Sequence, residues 1–123
     1  MGKLTFRKEE RLSKEKLIQE LFDKGSSFYL YPFKVYYMPN PDQDYPCHQI
    51  MISVSKRNFK RAVDRNLIKR RIREAYRINK GLLPVQNKLV IAYIYSVKDI
   101  LPSAEIQERL VKTFKRLEHV EKI

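Results

Sequence analysis

The sequence predicts an α+β fold built as one domain, and three observations carry that reading. The chain has 123 residues and 43% hydrophobic content, enough to bury roughly two thirds of the surface that its unfolded form exposes. Segments of helical period alternate with aromatic and β-branched runs of strand length. No repeat, low-complexity tract or linker divides residues 1–123, although the first ten read as a flexible N-terminus. The order is helix, strands, helix, strand, helix.

The first helix is "LSKEKLIQELFDKG", where Leu17, Ile18, Leu21 and Phe22 recur at helical spacing. Ser13 is its candidate N-cap, with Lys16 instead of Glu three residues on, and Gly25 its stop. "FYLYPFKVYYM" and "HQIMISVS" follow as two antiparallel strands joined by the turn-rich "PNPDQDYP". From Asn58 to Lys80 the period is helical again, ending at Gly81 and Pro84. "KLVIAYIY" is a third, central strand. "SAEIQERLVKTFKRLEHV" closes the chain as a helix from Ser103, with Glu105 in its first turn and Ile106, Leu110, Phe114 and Leu117 on its core face.

Charge narrows the function. The net charge of +12 and a pI near 9.9 point to an anionic partner, nucleic acid or an acidic membrane surface. No apolar run approaches the roughly 20 residues that span a bilayer. The single Cys47 excludes an intramolecular disulfide, and no apolar segment follows the N-terminal "MGKLTFRKEERLSKE", so a reducing, cytoplasmic setting is expected.

Residues 56–77 hold ten Lys and Arg against Asp64 and Glu74, a net +8 of the chain's +12. On a helix, Arg65, Lys69, Arg73 and Arg77 climb one side at i,i+4 spacing, flanked by Asn66 and Arg70. Ile68, Ile72, Ala75 and Tyr76 fall on the other. Like charges four apart destabilise a helix by a few tenths of a kcal/mol per pair, so a stripe that repeats the penalty suits a polyanion better than mere solubility. Seven of the ten cations are Arg, whose rigid fork grips phosphate oxygens bidentately and stacks on bases. A membrane-surface helix would leave bulky apolar residues unburied, yet a chain this short needs Ile68 and Ile72 for its core. Nucleic acid therefore ranks above membrane.

The segment Ala62, Val63, Arg65, Asn66, Lys69, Arg70, Arg73 resembles the signature of the bacterial ribonuclease P protein subunit, an Ala-Val pair followed by R-N-x-x-K-R-x-x-R. "RLSKEKLIQELFDKG", "FKVYY" and "ISVSKR" are similar to that family's first helix, second strand and the strand entering the motif. Two places depart from the pattern: Met51 stands where a Gly is usual, and Lys60-Arg61, with one extra residue, where Gly-Asn is common. The resemblance implies a two-layer α/β sandwich with a central mixed sheet and a left-handed βαβ crossover, whereas general statistics favour a right-handed one.

The resemblance further implies that the chain binds a catalytic RNA and the 5′ leader of precursor transfer RNA, assisting magnesium-dependent removal of the leader. Mg2+ would be bound mainly by the RNA; no cofactor held by this chain alone, no membrane contact and no DNA are expected. Arg65, Asn66, Lys69, Arg70 and Arg73 would meet the catalytic RNA, with Lys56, Arg57, Lys60, Arg61, Arg71 and Arg77 as auxiliaries. Ile18, Phe22 and Tyr36 would floor a leader-binding cleft rimmed by Arg57 and Arg65, Ile18 being aromatic in some relatives. No catalytic or metal-ligating residue is assigned: Asp23, Asp42, Asp44, Asp64 and Asp99 are dispersed, and His48 and His119 are expected to be structural or exposed. The rival readings are a general binder of structured RNA, for example ribosome-associated, and a protein-only nuclease.

Overall fold

The computed structural model describes residues 6–83 and 87–122. Its elements are α1 (Glu15–Lys24), β1 (Ser26–Leu30), β2 (Phe33–Pro39), β3 (Gln49–Val54), α2 (Ala62–Asn79), β4 (Leu89–Tyr95) and α3 (Ser103–Lys122), with 3-10 turns at Lys8–Glu10 and Lys80–Leu82. The strands form one mixed sheet in the order β1-β2-β4-β3. β4 runs antiparallel to β2 and parallel to β3, and α2 makes the crossover between the parallel pair.

That order corrects the expected pairing of two antiparallel strands joined by "PNPDQDYP". "FYLYPFKVYYM" is a hairpin, β1 against β2 across the turn at Tyr31–Pro32, with Leu30 opposite Phe33. β3 does not pair with β2, because β4 lies between them. The reason is the composition of "LVIAYIY": six of its seven residues are buried, and a strand apolar on both faces belongs at the centre of a sheet.

The alternation of β4 separates two apolar clusters. Leu89, Ile91, Tyr93 and Tyr95 join the larger one, which contains Ile68, Ile72, Ala75 and Tyr76 of α2 and Ile106, Leu110, Phe114 and Leu117 of α3. Val90 and Ala92 point the other way, into a smaller cluster with Met38 and Leu21 of α1. The expected core faces of α2 and α3 are therefore buried. The hydroxyls of Tyr93 and Thr113, both fully buried, hydrogen-bond at 2.8 Å and tie sheet to helix where an unpaired hydroxyl would cost about 1–3 kcal/mol.

Several boundaries move. Lys14, not Ser13, occupies the α1 N-cap, with no side-chain cap. Gly25 does end α1, donating its N–H to Leu21 O at 2.9 Å, but with φ −72°. Its value is space, since a Cβ there would lie 2.4 Å from Leu21 O. α2 begins at Ala62 because residues 55–61 form a turn that buries Phe59 against Tyr95. Of the N-terminal stretch expected to be flexible, residues 1–5 lie outside the described residues, whereas Lys8–Glu10 is an ordered turn. Glu10 is buried, accepts from Arg7 N–H at 2.7 Å and pairs with Lys80 at 2.7 Å, and Leu12 N–H donates to Ile50 O at 2.9 Å. A buried carboxylate held by two donors fixes the chain that carries it. Pro84 lies outside the described residues.

Candidate nucleic-acid interface

The cations of α2 differ in what they touch, and their partners sort them. Arg70 and Arg73 are exposed and Lys69 half-buried, and among the described residues none of the three has a hydrogen bond or ion pair. Lys69 and Arg73 line a groove of about 440 Å³ with Asn66, closed on its far side by Ile50, Met51 and Ile52 of β3 and by Arg11, Leu12 and Ser13. β3 is an edge strand, so the groove lies between its outer edge and α2. Arg11 stands over the Phe6 ring at 5.7 Å, and Phe6 packs edge-on against Tyr76 at 5.7 Å.

The remaining arginines of α2 are engaged with protein. Arg65 donates through Nη1 to the carbonyls of Phe59 and Lys60 at 2.8 and 2.9 Å, closing the turn that precedes the helix. Arg71 donates to Leu101 O at 2.7 Å, binding α2 to the segment that enters α3. Arg77 pairs with Glu74 through two contacts, 2.6 and 3.1 Å, and its guanidinium holds that carboxyl below the usual range. Lys56, Arg57, Lys60 and Arg61 are exposed in the turn between β3 and α2. Arg57 N–H donates to Ser55 Oγ at 3.0 Å. Ala62 and Val63 of the motif are exposed, Val63 by 64%, so this apolar pair does not serve the core.

On the α1 side of the sheet, Phe22 meets Tyr36 edge-to-face with ring centres 4.7 Å apart. Phe22 is exposed, Tyr36 and Ile18 half-buried, and Lys34 Nζ stands 5.7 Å from the centre of the Tyr36 ring. The three expected cleft residues thus share one partly open apolar surface, with Met51 joining that surface to the groove beside α2.

Sequence reasoning missed Arg11 and Lys34. Arg11 carried a signal, since it opens the "RL" that precedes the first helix, but the parallel bridge that aligns it with Ile50 is a tertiary contact. Lys34 was hidden inside a strand.

Among the described residues no group of three or more His, Cys, Asp and Glu converges as metal ligands would. His48 Nδ1 accepts the Leu89 N–H at 2.9 Å, and burial, then Lys88, lowers its pKa. Burial likewise pushes the Cys47 thiol up, away from the reactive thiolate. The His119 side chain lies outside the described residues. No helix among them is long and apolar enough to cross a membrane.

Comparison with known proteins agrees on one family. The ribonuclease P family model matches residues 6–118. The ribonuclease P protein component of Porphyromonas gingivalis is 38% identical over 109 residues, 85% of this chain and 80% of that protein. That of Petrotoga mobilis is 43% identical over 81 residues, 66% of this chain and 65% of the relative. The structure of the Staphylococcus aureus RNase P protein superposes with a TM-score of 0.70 at 30% identity, covering 88% of this chain and 94% of the other. The Thermotoga maritima RNase P protein gives 0.72 at 26% identity, covering 87% and 96%.

Proposed function

Since the chain belongs to the ribonuclease P protein family, and so is the protein subunit of a ribonucleoprotein endoribonuclease that processes transfer RNA, we propose how it divides its surface between two RNAs. The groove of Arg11, Asn66, Lys69 and Arg73, with Arg70 beside it, receives the backbone of the catalytic RNA. The partly open sheet face of Ile18, Phe22 and Tyr36 receives the 5′ leader of precursor transfer RNA. Lys56, Arg57, Lys60 and Arg61 extend the basic surface between them. Arg65, Arg71 and Arg77 serve mainly by holding the turn, the α3 junction and the helix surface in place, the free part of the Arg65 fork completing the cleft rim.

The observation that carries this reading is the adjacency of two surfaces of different chemistry, linked at Met51. Unpaired cations beside a rigid helix suit phosphates, which need charge at fixed spacing. Half-exposed rings suit unpaired bases, because every base has a π-face and stacking is worth about 1–3 kcal/mol whatever the sequence. A leader of variable sequence is such a ligand.

The chemistry belongs to the RNA in this reading. Magnesium ions, when bound by the RNA, would supply an activated water and charge stabilisation for the leaving oxygen. The carboxylates described in this chain do not converge on a site that would fit the ion, and His48 is occupied by the Leu89 N–H. The protein contributes by binding and orienting: it neutralises phosphates that would otherwise repel and holds the leader on one side of the scissile bond.

Reconstitution tests the reading. With the cognate catalytic RNA at low magnesium, added protein should raise cleavage of a precursor carrying a 5′ leader, while protein alone leaves it intact. RNA binding without stimulation would favour a general binder of structured RNA, and cleavage by protein alone would favour a protein-only nuclease.

A further inference from the structure

The sheet face that α1 partly covers has three rows, set by the strand registers. Gln49, Val90 and Met38 make the row beneath α1, with Val90 opposite both Gln49 and Met38, and all three are buried. Ser27, Tyr36, Ala92 and Met51 make the middle row, in which Tyr36 and Met51 are half-buried. Tyr29, Lys34, Ile94 and Ser53 make the third, which crosses all four strands and holds no fully buried residue. α1 covers one end of the face and leaves the other open.

The third row contains a large exposed aromatic. Tyr29 is 52% exposed although it lies within β1. Its neighbours Phe28 and Leu30 point into the larger cluster, so Tyr29 points to the α1 side, toward which Tyr36 also faces. It stands directly opposite Lys34 and diagonal to Tyr36, whose own partner is Ser27. Diagonal neighbours of this kind lie roughly 7–8 Å apart, within reach of aromatic side chains. One exposed Tyr alone needs no explanation. Here the cation Lys34 is the cross-strand partner of Tyr29 and places its ammonium 5.7 Å from the Tyr36 ring centre. Alternating π-faces and positive charge are what an unpaired nucleic-acid strand requires.

We propose that Tyr29 and Lys34 form an outer subsite for single-stranded RNA, extending the leader cleft across the sheet to its β1 edge. Tyr29 offers a stacking face to a leader base and Lys34 neutralises the adjoining phosphate. Across three inter-strand spacings the row is about 14 Å long, and β3 then leads from Ser53 toward Lys56 and Arg57 in the basic turn. This subsite also supplies a π-face that the branched aliphatic Ile18 cannot. The inference rests on the leader reading of the Phe22 and Tyr36 surface, and reaches beyond it to a residue and a leader segment outside that surface.

The test is affinity of the complex of protein and catalytic RNA for precursors with leaders of graded length and for mature transfer RNA. Tyr29→Ala should weaken binding of long-leader precursors by about five- to tenfold, the lower part of the range for one stacked base given that half the ring faces solvent. Short-leader precursors and mature transfer RNA should bind as before, and Tyr29→Phe should restore wild-type affinity. Because Tyr29 is exposed, thermal unfolding should be unchanged in both variants. Wild-type affinity for long leaders in Tyr29→Ala, or an equal loss on mature transfer RNA, would overturn the subsite. Tyr36→Ala separates the two levels: if it weakens precursor binding while Tyr29→Ala does not, only the extension is wrong, and if neither does, the leader reading fails with it.

Discussion

The solvent side of α2 and the side that meets α3 are made from the same residue types and serve different ends. Arg70 and Arg71 are neighbours in sequence, yet Arg70 is exposed and unpaired among the described residues while Arg71 reaches Leu101 O at 2.7 Å. A 100° step around the helix separates a charge available to phosphate from one that joins two elements of the fold. The apolar residues obey the same geometry: Ile72 is fully buried and Val63 is 64% exposed. Between Arg70 and Arg71, position on the helix and not residue type decides which guanidinium is left to solvent.

The largest effect should come from the buried side. Ile72→Ala removes a side chain from the larger cluster and should cost about 2–5 kcal/mol in urea denaturation. A loss below 1 kcal/mol would mean that α2 is not anchored as described. Next, Arg65→Ala should cost about 1–2 kcal/mol, because two carbonyls of the preceding turn lose their donor. It should also raise hydrogen exchange in residues 57–61, whereas Arg70→Ala should change neither.

A smaller loss, about 1 kcal/mol, is expected for Arg71→Ala, where a single hydrogen bond is removed and water can partly replace it. The mildest effect belongs to another inward-facing polar group. Burial, and then Lys88, keeps the His48 pKa below its usual value, so the unfolded chain accepts a proton that the folded chain resists. Stability should be intact above about pH 6.5 and decline as the pH falls through that value. His48→Gln should flatten this decline, and an unchanged decline would assign it to other groups.

How much of this was legible beforehand follows from the same contrast. The core sides of α2 and α3 were readable because a 3.6-residue period needs no tertiary information: Ile68, Ile72, Ile106 and Leu110 are where it places them. Strand pairing was not, since "FKVYYM" and "HQIMISV" look like hairpin partners until the doubly apolar β4 is given a place between them. In the site, helical spacing put Arg65, Lys69, Arg73 and Arg77 on one side with Asn66 and Arg70 beside them, but it gave no sign that, among the described residues, Arg65 and Arg77 have protein partners while Lys69 and Arg73 do not. It could not show that Arg65 and Arg71 find carbonyl acceptors, because Leu101 is thirty residues from Arg71. Arg11 and Tyr29 escaped for the same reason: one is aligned by a bridge to Ile50, the other by the register of β1 on β2.

The pair Arg70 and Arg71 offers the most direct test. Affinity for the catalytic RNA, measured for the wild type, Arg70→Ala and Arg71→Ala over a range of salt, reports how many phosphates each protein neutralises. Each lost phosphate contact reduces the slope of log affinity against log salt by about 0.7–0.9. Arg70→Ala should flatten the slope by about that amount at unchanged stability. Arg71→Ala should leave the slope as it is and lower stability instead. A flattened slope for Arg71→Ala with an unaltered one for Arg70→Ala would contradict the division of α2 into a recognising side and a structural side.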